Sequence, residues 1–169
     1  MEGSRRDERA WIRGAQAGSV SDFESLFRAH WPLAYRAALL VVHDTAAAED
    51  IAQEAFLSAV RALDRFDRRR PFGPWLHRIV VNRAIDWARA RRLRAEVVLA
   101  DAAGDTPEPE LGSDAAAAVR GLSPEHRAVI VLRYLLGYTP GEIARLLGLP
   151  RGTVNSRLRR GLDQLKETI

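Results

Sequence analysis

The side chains best suited to chemistry lie near the C-terminus, between residues 151 and 160, where guanidinium, amide and hydroxyl groups occur without an acid. Arginine can bond guanine at two points and asparagine can do the same with adenine, while serine and threonine bond bases or phosphates. The candidate contacts are Arg151, Thr153, Asn155, Ser156, Arg157, Arg159 and Arg160. Their types predict binding to duplex DNA.

A second basic set lies in residues 61–95, which hold 11 arginines and 3 acids. Unstacked bases are captured by cationic grooves and by aromatic side chains. The candidates here are Arg68, Arg69, Arg70, Phe72, Arg78, Asn82, Arg83, Asp86 and Arg89. Three aromatic or amide residues have a plain alternative. Trp75 is expected to pack in the core, Phe72 fits a core or a base contact equally well, and Asn82 fits packing between helices as well as base contact.

A third set, around residue 50, has the opposite charge. Asp50, Gln53 and Glu54 fall on one side of a predicted helix, and Leu57 and Val60 can add an apolar part. Such a surface suits a basic protein partner and repels DNA. The alternative is an ordinary solvated acidic helix face.

The composition argues against an enzyme. The chain has no cysteine, and its four histidines are scattered without a metal-pair spacing. It also lacks a glycine-rich nucleotide loop and a convergent set of histidine and carboxylate residues. We therefore predict no cofactor, no metal and no catalysis. No apolar run approaches a membrane span, and the charged N-terminus has no signal-peptide core, which predicts a cytoplasmic protein.

Helices must position the candidate side chains in the N-terminal part of the chain. Ser21 and Glu24 predict a capping box, and Pro32 should kink the following helix or divide it. Thr45 or Asp44 should begin a second helix that runs to about Phe66. Its buried face should carry Ile51, Ala55, Ala59, Leu63 and Phe66. A third helix is expected over about 74–94.

The C-terminal elements predict a helix-turn-helix. Ser123 and Pro124 signal a helix start, and Gly137 signals a stop. Thr139 repeats the start signal, and the helix over 140–147 should end at Gly148 before a longer helix from about Arg151. Val154, Leu158, Leu162 and Leu165 cluster on one face of that last helix, opposite the arginines. The alternative is a simple helical hairpin with a solvated arginine face.

Charge and composition divide the chain. Residues 96–119 hold 6 acids and no base, whereas residues 120–169 carry 9 bases and 4 acids. The stretch 96–113, with its glycines and prolines, is predicted to be a flexible acidic linker. We therefore predict an all-α fold of two small helical domains, over 1–95 and 114–169.

Three motifs in order show a resemblance to a known family. Ala47 to Phe66 reads AAEDIAQEAFLSAVRALDRF, Pro71 to Arg92 reads PFGPWLHRIVVNRAIDWARARR, and GTVNSRL begins at Gly152. With them the chain resembles the sigma-70 family of RNA polymerase sigma factors, in particular the extracytoplasmic-function (ECF) group. The resemblance covers nearly the whole chain, although Asn155 stands where a basic residue is common.

The resemblance implies a role for each set. Residues 1–95 correspond to region 2, in which Asp50, Gln53, Glu54, Leu57 and Val60 would dock on core RNA polymerase. The loop Arg68 to Phe72 and the helix after it would read and melt the −10 element. Residues 114–169 correspond to region 4, which would read the −35 element. The acidic linker would thread toward the polymerase active-site cleft.

Two further expectations follow. Members of this group are commonly held inactive by an anti-sigma factor, which makes such a protein a candidate partner here. The main rival interpretation is a free-standing helix-turn-helix regulator, which explains residues 120–169 but gives Asp50, Gln53 and Glu54 no role.

Overall fold

The computed structural model describes residues 2–98 and 118–168. These residues form helices joined by short turns, and the described part of the chain contains no strand. The helices are α1 (Glu2–Gln16), α2 (Val20–Val42), α3 (Thr45–Ala62), α4 (Phe72–Val98), α5 (Pro124–Ile130), α6 (Pro140–Leu147) and α7 (Arg151–Thr168). A 3-10 turn (Leu63–Arg65) follows α3, and a π-helical segment (Val131–Leu135) follows α5. The all-α prediction is confirmed.

The N-terminal half is a bundle in which α2 packs against α1, α3 and α4. The predicted apolar face of α3 is its buried face, from Ile51 through Ala55 and Ala59 to Leu63. Small alanines on α2 and α3 allow the helix backbones to approach closely. Helix α4 completes the core with Leu76 and Val80 and with the buried residues one and two turns after them.

Asp44 ties two of these helices together. Its carboxylate accepts a hydrogen bond from the Ala47 amide at 2.9 Å, which caps α3. Its other oxygen accepts from Arg91 of α4 at 2.8 Å. These bonds, the Ala47 amide first, lower the pKa of Asp44. The sequence offered Asp44 and Thr45 as alternative N-terminal caps of α3, and in the structure the cap is Asp44.

Several predicted boundaries were wrong. The cap of α2 is Ser19, which accepts from the Asp22 amide, so Ser21 and Glu24 form no capping box. Pro32 does not divide α2. The carbonyl that it leaves without an N–H donor is that of Arg28, an exposed residue one turn earlier, so this carbonyl can bond water. Buried residues before and after Pro32 hold the helix in the bundle. The helix α4 runs from Phe72 to Val98, longer than predicted, and so enters the stretch assigned to the linker. Residues 99–117, the rest of that stretch included, lie outside the described residues.

The C-terminal half follows its capping signals. Ser123 caps α5 with Pro124 in the first turn, and Gly137 adopts a φ of +74° after the π-helical segment. Thr139 and Glu142 form the predicted capping box of α6. Gly148 ends α6 in the left-handed conformation with φ at +63°, which glycine adopts without steric cost. Helix α7 begins three residues later, so the helix-turn-helix geometry is confirmed.

The two halves contact each other. Helix α4 packs against α5 and α6, and α2 packs against α5 and the π-helical segment. An ion pair joins Arg89 to Glu125, and Tyr138 shares a 2.7 Å hydrogen bond with His77 Nδ1. The sequence indicated two domains but gave no sign of these contacts.

Candidate nucleic-acid and protein interfaces

The outer face of α7 is polar and accessible. Its buried side carries Val154 and Leu158, which pack in the C-terminal core. Of the seven predicted contacts on this helix, Arg151, Asn155, Arg159 and Arg160 are exposed, and Thr153, Ser156 and Arg157 are half-buried. The side chains that could reach bases therefore share a surface, as the helical periodicity predicts.

The basic loop, residues 67–71, connects the 3-10 turn to α4. Asp67 organises it, because its carboxylate accepts from the Arg69 amide at 3.0 Å and from Arg69 Nε at 3.1 Å. The Arg69 amide contributes most to the lowered pKa of Asp67. The Asp67 carbonyl also accepts from the Arg70 amide at 2.9 Å. The turn leaves Arg68, Arg69 and Arg70 exposed to solvent.

Phe72 does not belong to the accessible surface. Its side chain is 0% exposed and packs against His30, Phe66 and Trp75 at ring-centroid distances of 5.1, 5.9 and 5.6 Å. A base cannot stack on a ring enclosed in this way, so the prediction of Phe72 as a base contact conflicts with its burial. Phe72 instead anchors the start of α4. Trp75 packs beside it, as expected, and remains partly accessible.

Two predicted contacts on α4 already have protein partners. Arg83 donates to Glu54 at 2.6 Å and to Ser58 at 2.8 Å, both on α3. Arg89 donates to Glu125 of α5 at 2.5 Å. Arg78 and Asp86 are exposed. Asn82, which lies between them on the same face of α4, is half-buried. Arg83 therefore links the candidate DNA surface to the candidate protein surface.

The exposed side of α3 combines acids with apolar side chains. Asp50, Gln53 and Glu54 are exposed, and Gln53 donates to Glu49 one turn away at 3.3 Å. Leu57 is 55% exposed and Val60 is 42% exposed. Two large apolar side chains beside acids on one helix are typical of a protein-binding surface.

A cleft of about 770 Å³ lies between the basic loop and α6. Its wall combines aromatic rings and guanidinium groups from both halves of the chain. Among the residues that line it are Phe66, Trp75, Tyr138, Arg70, Arg78 and Arg145. Arg145 and Tyr138 were not among the predicted contacts, because nothing in their local pattern indicates that α6 lies against the loop.

Tyr138 and His77 form the polar centre of the contact between the halves. His77 is 6% exposed, and burial, followed by the nearby His30, lowers its pKa to about 4. Burial and Glu142 raise the pKa of Tyr138. Both groups are therefore neutral at neutral pH, which suits a hydrogen bond in a poorly hydrated site. His77 carried no signal in the sequence beyond its apolar neighbours.

Residues 2–98 and 118–168 contain no cluster of three or more potential metal ligands. None of the helices within these ranges is both long and apolar enough to span a bilayer.

Comparison with known proteins identifies the family. The sigma-70 region 2 family matches residues 26–94, and the sigma-70 region 4 family matches residues 114–165. The chain belongs to the sigma-70 family. Several curated relatives are ECF sigma factors, among them SigL of Mycobacterium tuberculosis, which is 35% identical over 95% of this chain and 96% of its own length. SigW of Bacillus subtilis is 32% identical over 94% of each chain.

SigE of Mycolicibacterium smegmatis is longer. It is 36% identical over 92% of this chain, but the alignment spans only 64% of SigE. Among solved structures, CnrH in complex with the cytosolic domain of CnrY gives a TM-score of 0.70, with 29% identity over 95% of this chain and 96% of CnrH. RpoE of Bartonella quintana, at 24% identity and a TM-score of 0.68, has the same fold over 88% of this chain and 97% of its own.

Membership of the ECF group confirms the resemblance deduced from the three motifs. This sigma factor acts in transcription initiation by RNA polymerase. Its partners are core RNA polymerase and promoter DNA. The individual contact residues and the limits of the two domains stay predictions.

Proposed function

We propose that this sigma factor directs core polymerase to its promoters by dividing the task among three surfaces. Helix α3 holds the polymerase through Asp50, Gln53, Glu54, Leu57 and Val60. The basic loop and the exposed face of α4 read the −10 element and help to open it. The outer face of α7 reads the −35 element. In this scheme residues 1–95 act as region 2 and residues 114–169 as region 4.

The observation that carries the −10 assignment is the cleft beside the basic loop. Aromatic rings and arginines line it together, and an unstacked base needs both a flat apolar partner and a neutralised phosphate. Arg70 lines the cleft, and Arg68 and Arg69 precede it in the same loop with their side chains exposed to solvent. Phe72 is not part of this surface, because its side chain is buried. Arg83 can contribute to DNA binding only if it breaks its bond with Glu54.

The polymerase assignment depends on the composition of the α3 surface. Its acids favour a basic partner and disfavour DNA, and Leu57 and Val60 supply area that becomes dry on binding. We propose no enzymatic activity for this chain, because the polymerase supplies the chemistry. We also propose that it works in the cytoplasm, where the polymerase and the promoters are.

An anti-sigma factor is a further proposed partner. The similar protein CnrH was solved in complex with the cytosolic domain of CnrY, which supports a protein antagonist for this chain as well. Such a partner should compete with core polymerase if it covers α3. Competition between the two for the purified chain is the direct test.

Run-off transcription tests the proposed function. Purified core polymerase with this chain should give discrete products from a promoter library, and core alone should give none of them. A free-standing regulator would bind DNA through α7 but would add no promoter-specific product to core enzyme.

A further inference from the structure

The end of α1 is bonded to the start of the basic loop. The side-chain amide of Gln16, the last residue of α1, donates to the Leu63 carbonyl at 2.8 Å and to the Phe66 carbonyl at 3.1 Å. The partners are 47 and 50 positions away in sequence, so local folding does not produce these bonds. One side chain thus spans the whole 3-10 turn that precedes the loop.

These two carbonyls stand at a place where the backbone needs partners. The last carbonyls of a helix have no intrahelical N–H group to accept from. The Leu63 carbonyl accepts one bond from the Phe66 amide, at 3.0 Å, and Gln16 supplies a second. The Phe66 carbonyl directly precedes Asp67, which organises the basic loop. Gln16 therefore fixes the peptide from which the loop departs.

Helix α1 is itself held in one position. Ile12 is fully buried, and Glu8 Oε1 forms a 2.7 Å hydrogen bond with Nε2 of His30 on α2, with both side chains less than 20% exposed. Gly14 lies directly against Asp22, whose carboxylate occupies the space that a Cβ would need. Helix α1 therefore holds the side-chain amide of Gln16 in a fixed position.

The other end of the loop has a different anchor. Phe72 is enclosed by Phe66 and Trp75, and Phe66 and Trp75 lie 4.6 Å apart between ring centroids. Between Phe66 and Phe72 the loop makes its own turn through Asp67, and its arginines are exposed. The region 2 match begins at residue 26, so α1 lies outside it.

We propose that Gln16 is a positioning residue for −10 recognition, which it serves by holding the Leu63 and Phe66 carbonyls and so fixing the geometry of the basic loop. This inference rests on the proposed −10 function of that loop. Gln16 touches no DNA in this scheme. Its two donated hydrogens restrict the conformations of Arg68, Arg69 and Arg70, which lowers the entropy cost of ordering them on a strand.

The test compares side chains of similar length. Gln16→Met keeps the shape and removes both donors, and Gln16→Glu places a carboxylate against two carbonyl oxygens. Gln16→Lys retains donors that reach both carbonyls. Gln164→Met, on the exposed side of α7, is the control for a glutamine lost elsewhere.

The measurement is the ratio of holoenzyme affinities for two single strands, the −10 strand of a promoter that the holoenzyme transcribes and a scrambled version of it. A uniform change of charge or stability does not alter this ratio. Loss of the bonds should lower it roughly fivefold in the Met and Glu variants, the effect of about one hydrogen bond. The Lys and Gln164 variants should keep it, and all four should bind core polymerase as the wild type does.

Amide hydrogen exchange gives an independent reading of the same variants. Amides of residues 67–70 should exchange faster in the Met and Glu variants, while those of α2 stay unchanged. An unchanged affinity ratio in these two variants, or an equal loss in the Lys variant, would overturn the role of Gln16. If instead the wild-type holoenzyme itself does not distinguish the two strands, the −10 function of the loop has failed, and the two failures are thereby separated.

Discussion

At the scale of single residues, four of the predicted −35 contacts on α7 are exposed, and these four differ in what they can read. Arg159 and Arg160 can bond guanine at two points, whereas Asn155 suits adenine. Arg151, at the start of the helix, lies where backbone N–H groups also favour a phosphate. Asn155 stands at a position where a basic residue is common in the family. We therefore expect this chain to prefer a −35 sequence that differs from those of its relatives.

Arg160→Ala should weaken binding to the preferred −35 duplex by about 1–3 kcal/mol and relax selection at one base pair. Binding to duplexes of different −35 sequence, followed by fluorescence anisotropy, measures both effects. Lys166→Ala, which removes an exposed charge from the last turn of the same helix, is the control. An equal loss on every sequence would assign Arg160 to a phosphate and contradict base reading.

His77 makes stability depend on pH. Burial holds its pKa at about 4 in the folded chain, below the ordinary value of 6.5 for an unfolded histidine. The unfolded chain therefore binds the proton first as the pH falls, and the stabilisation present above pH 6.5 is lost between about pH 6.5 and 4. His43, whose pKa burial and then Arg127 and Arg120 also lower to about 4, should act in the same direction.

Denaturant unfolding of the wild type should show a free energy of unfolding that falls by on the order of 3 kcal/mol for each such histidine between those limits. The His77→Gln variant can still bond Tyr138 but does not titrate, so its decline should be shallower. Parallel curves for the two proteins would show that His77 is not the titrating group.

At the scale of elements, local signals predicted the C-terminal helices better than the start and the course of α2. The capping box of α6, the Ser123 cap and the Gly148 stop each depend on three or four neighbouring residues, which the sequence displays directly. The cap of α2 at Ser19 is equally local, since it accepts from the Asp22 amide, but Ser21 offers a competing signal two residues later. The continuity of α2 through Pro32 depends on packing against other helices. The bonds from Gln16 to Leu63 and Phe66 depend on the whole bundle, so no local pattern indicates them.

Gly148→Ala should test the turn that orients α7. The φ of +63° is unfavourable for alanine, and no atom lies within 4 Å of the added Cβ, so the cost is conformational and about 1 kcal/mol. Gly152→Ala adds the same methyl group in open space at the start of α7, where φ is not positive, and should be neutral or slightly stabilising. Thermal unfolding and −35 binding of the two variants should diverge, and equal behaviour would contradict the role of the turn.

At the scale of the whole molecule, Arg89, a predicted DNA-binding residue, is also one of the residues that join the two halves. The Glu125 carboxylate offsets the charge of Arg89 and bonds its Nε, so binding of a −10 strand phosphate by Arg89 competes with the ion pair to α5. The sequence indicated where each half begins but not that they meet, because the contact depends on pairs of residues far apart in the chain. Residues 99–117, which connect the halves, lie outside the described part of the structure.

Glu125→Gln should therefore raise the affinity of the free chain for a −10 strand. The Arg89 and Glu125 side chains are 50% and 24% exposed, so the gain should be modest, about two- to fivefold, as for a surface ion pair. Glu167→Gln makes the same change of net charge at an exposed position of α7. If the two variants bind the strand equally well, the gain comes from net charge and not from release of Arg89.

The central claim is that α3 holds the polymerase while α7 and the basic loop hold DNA. Its most direct test is the affinity of Asp50→Ala/Leu57→Ser for core enzyme, measured beside the affinity of the same protein for −35 duplex. The account predicts at least a tenfold loss for core, as for a pair of central interface residues, with −35 binding unchanged. Unchanged binding to core polymerase would contradict it.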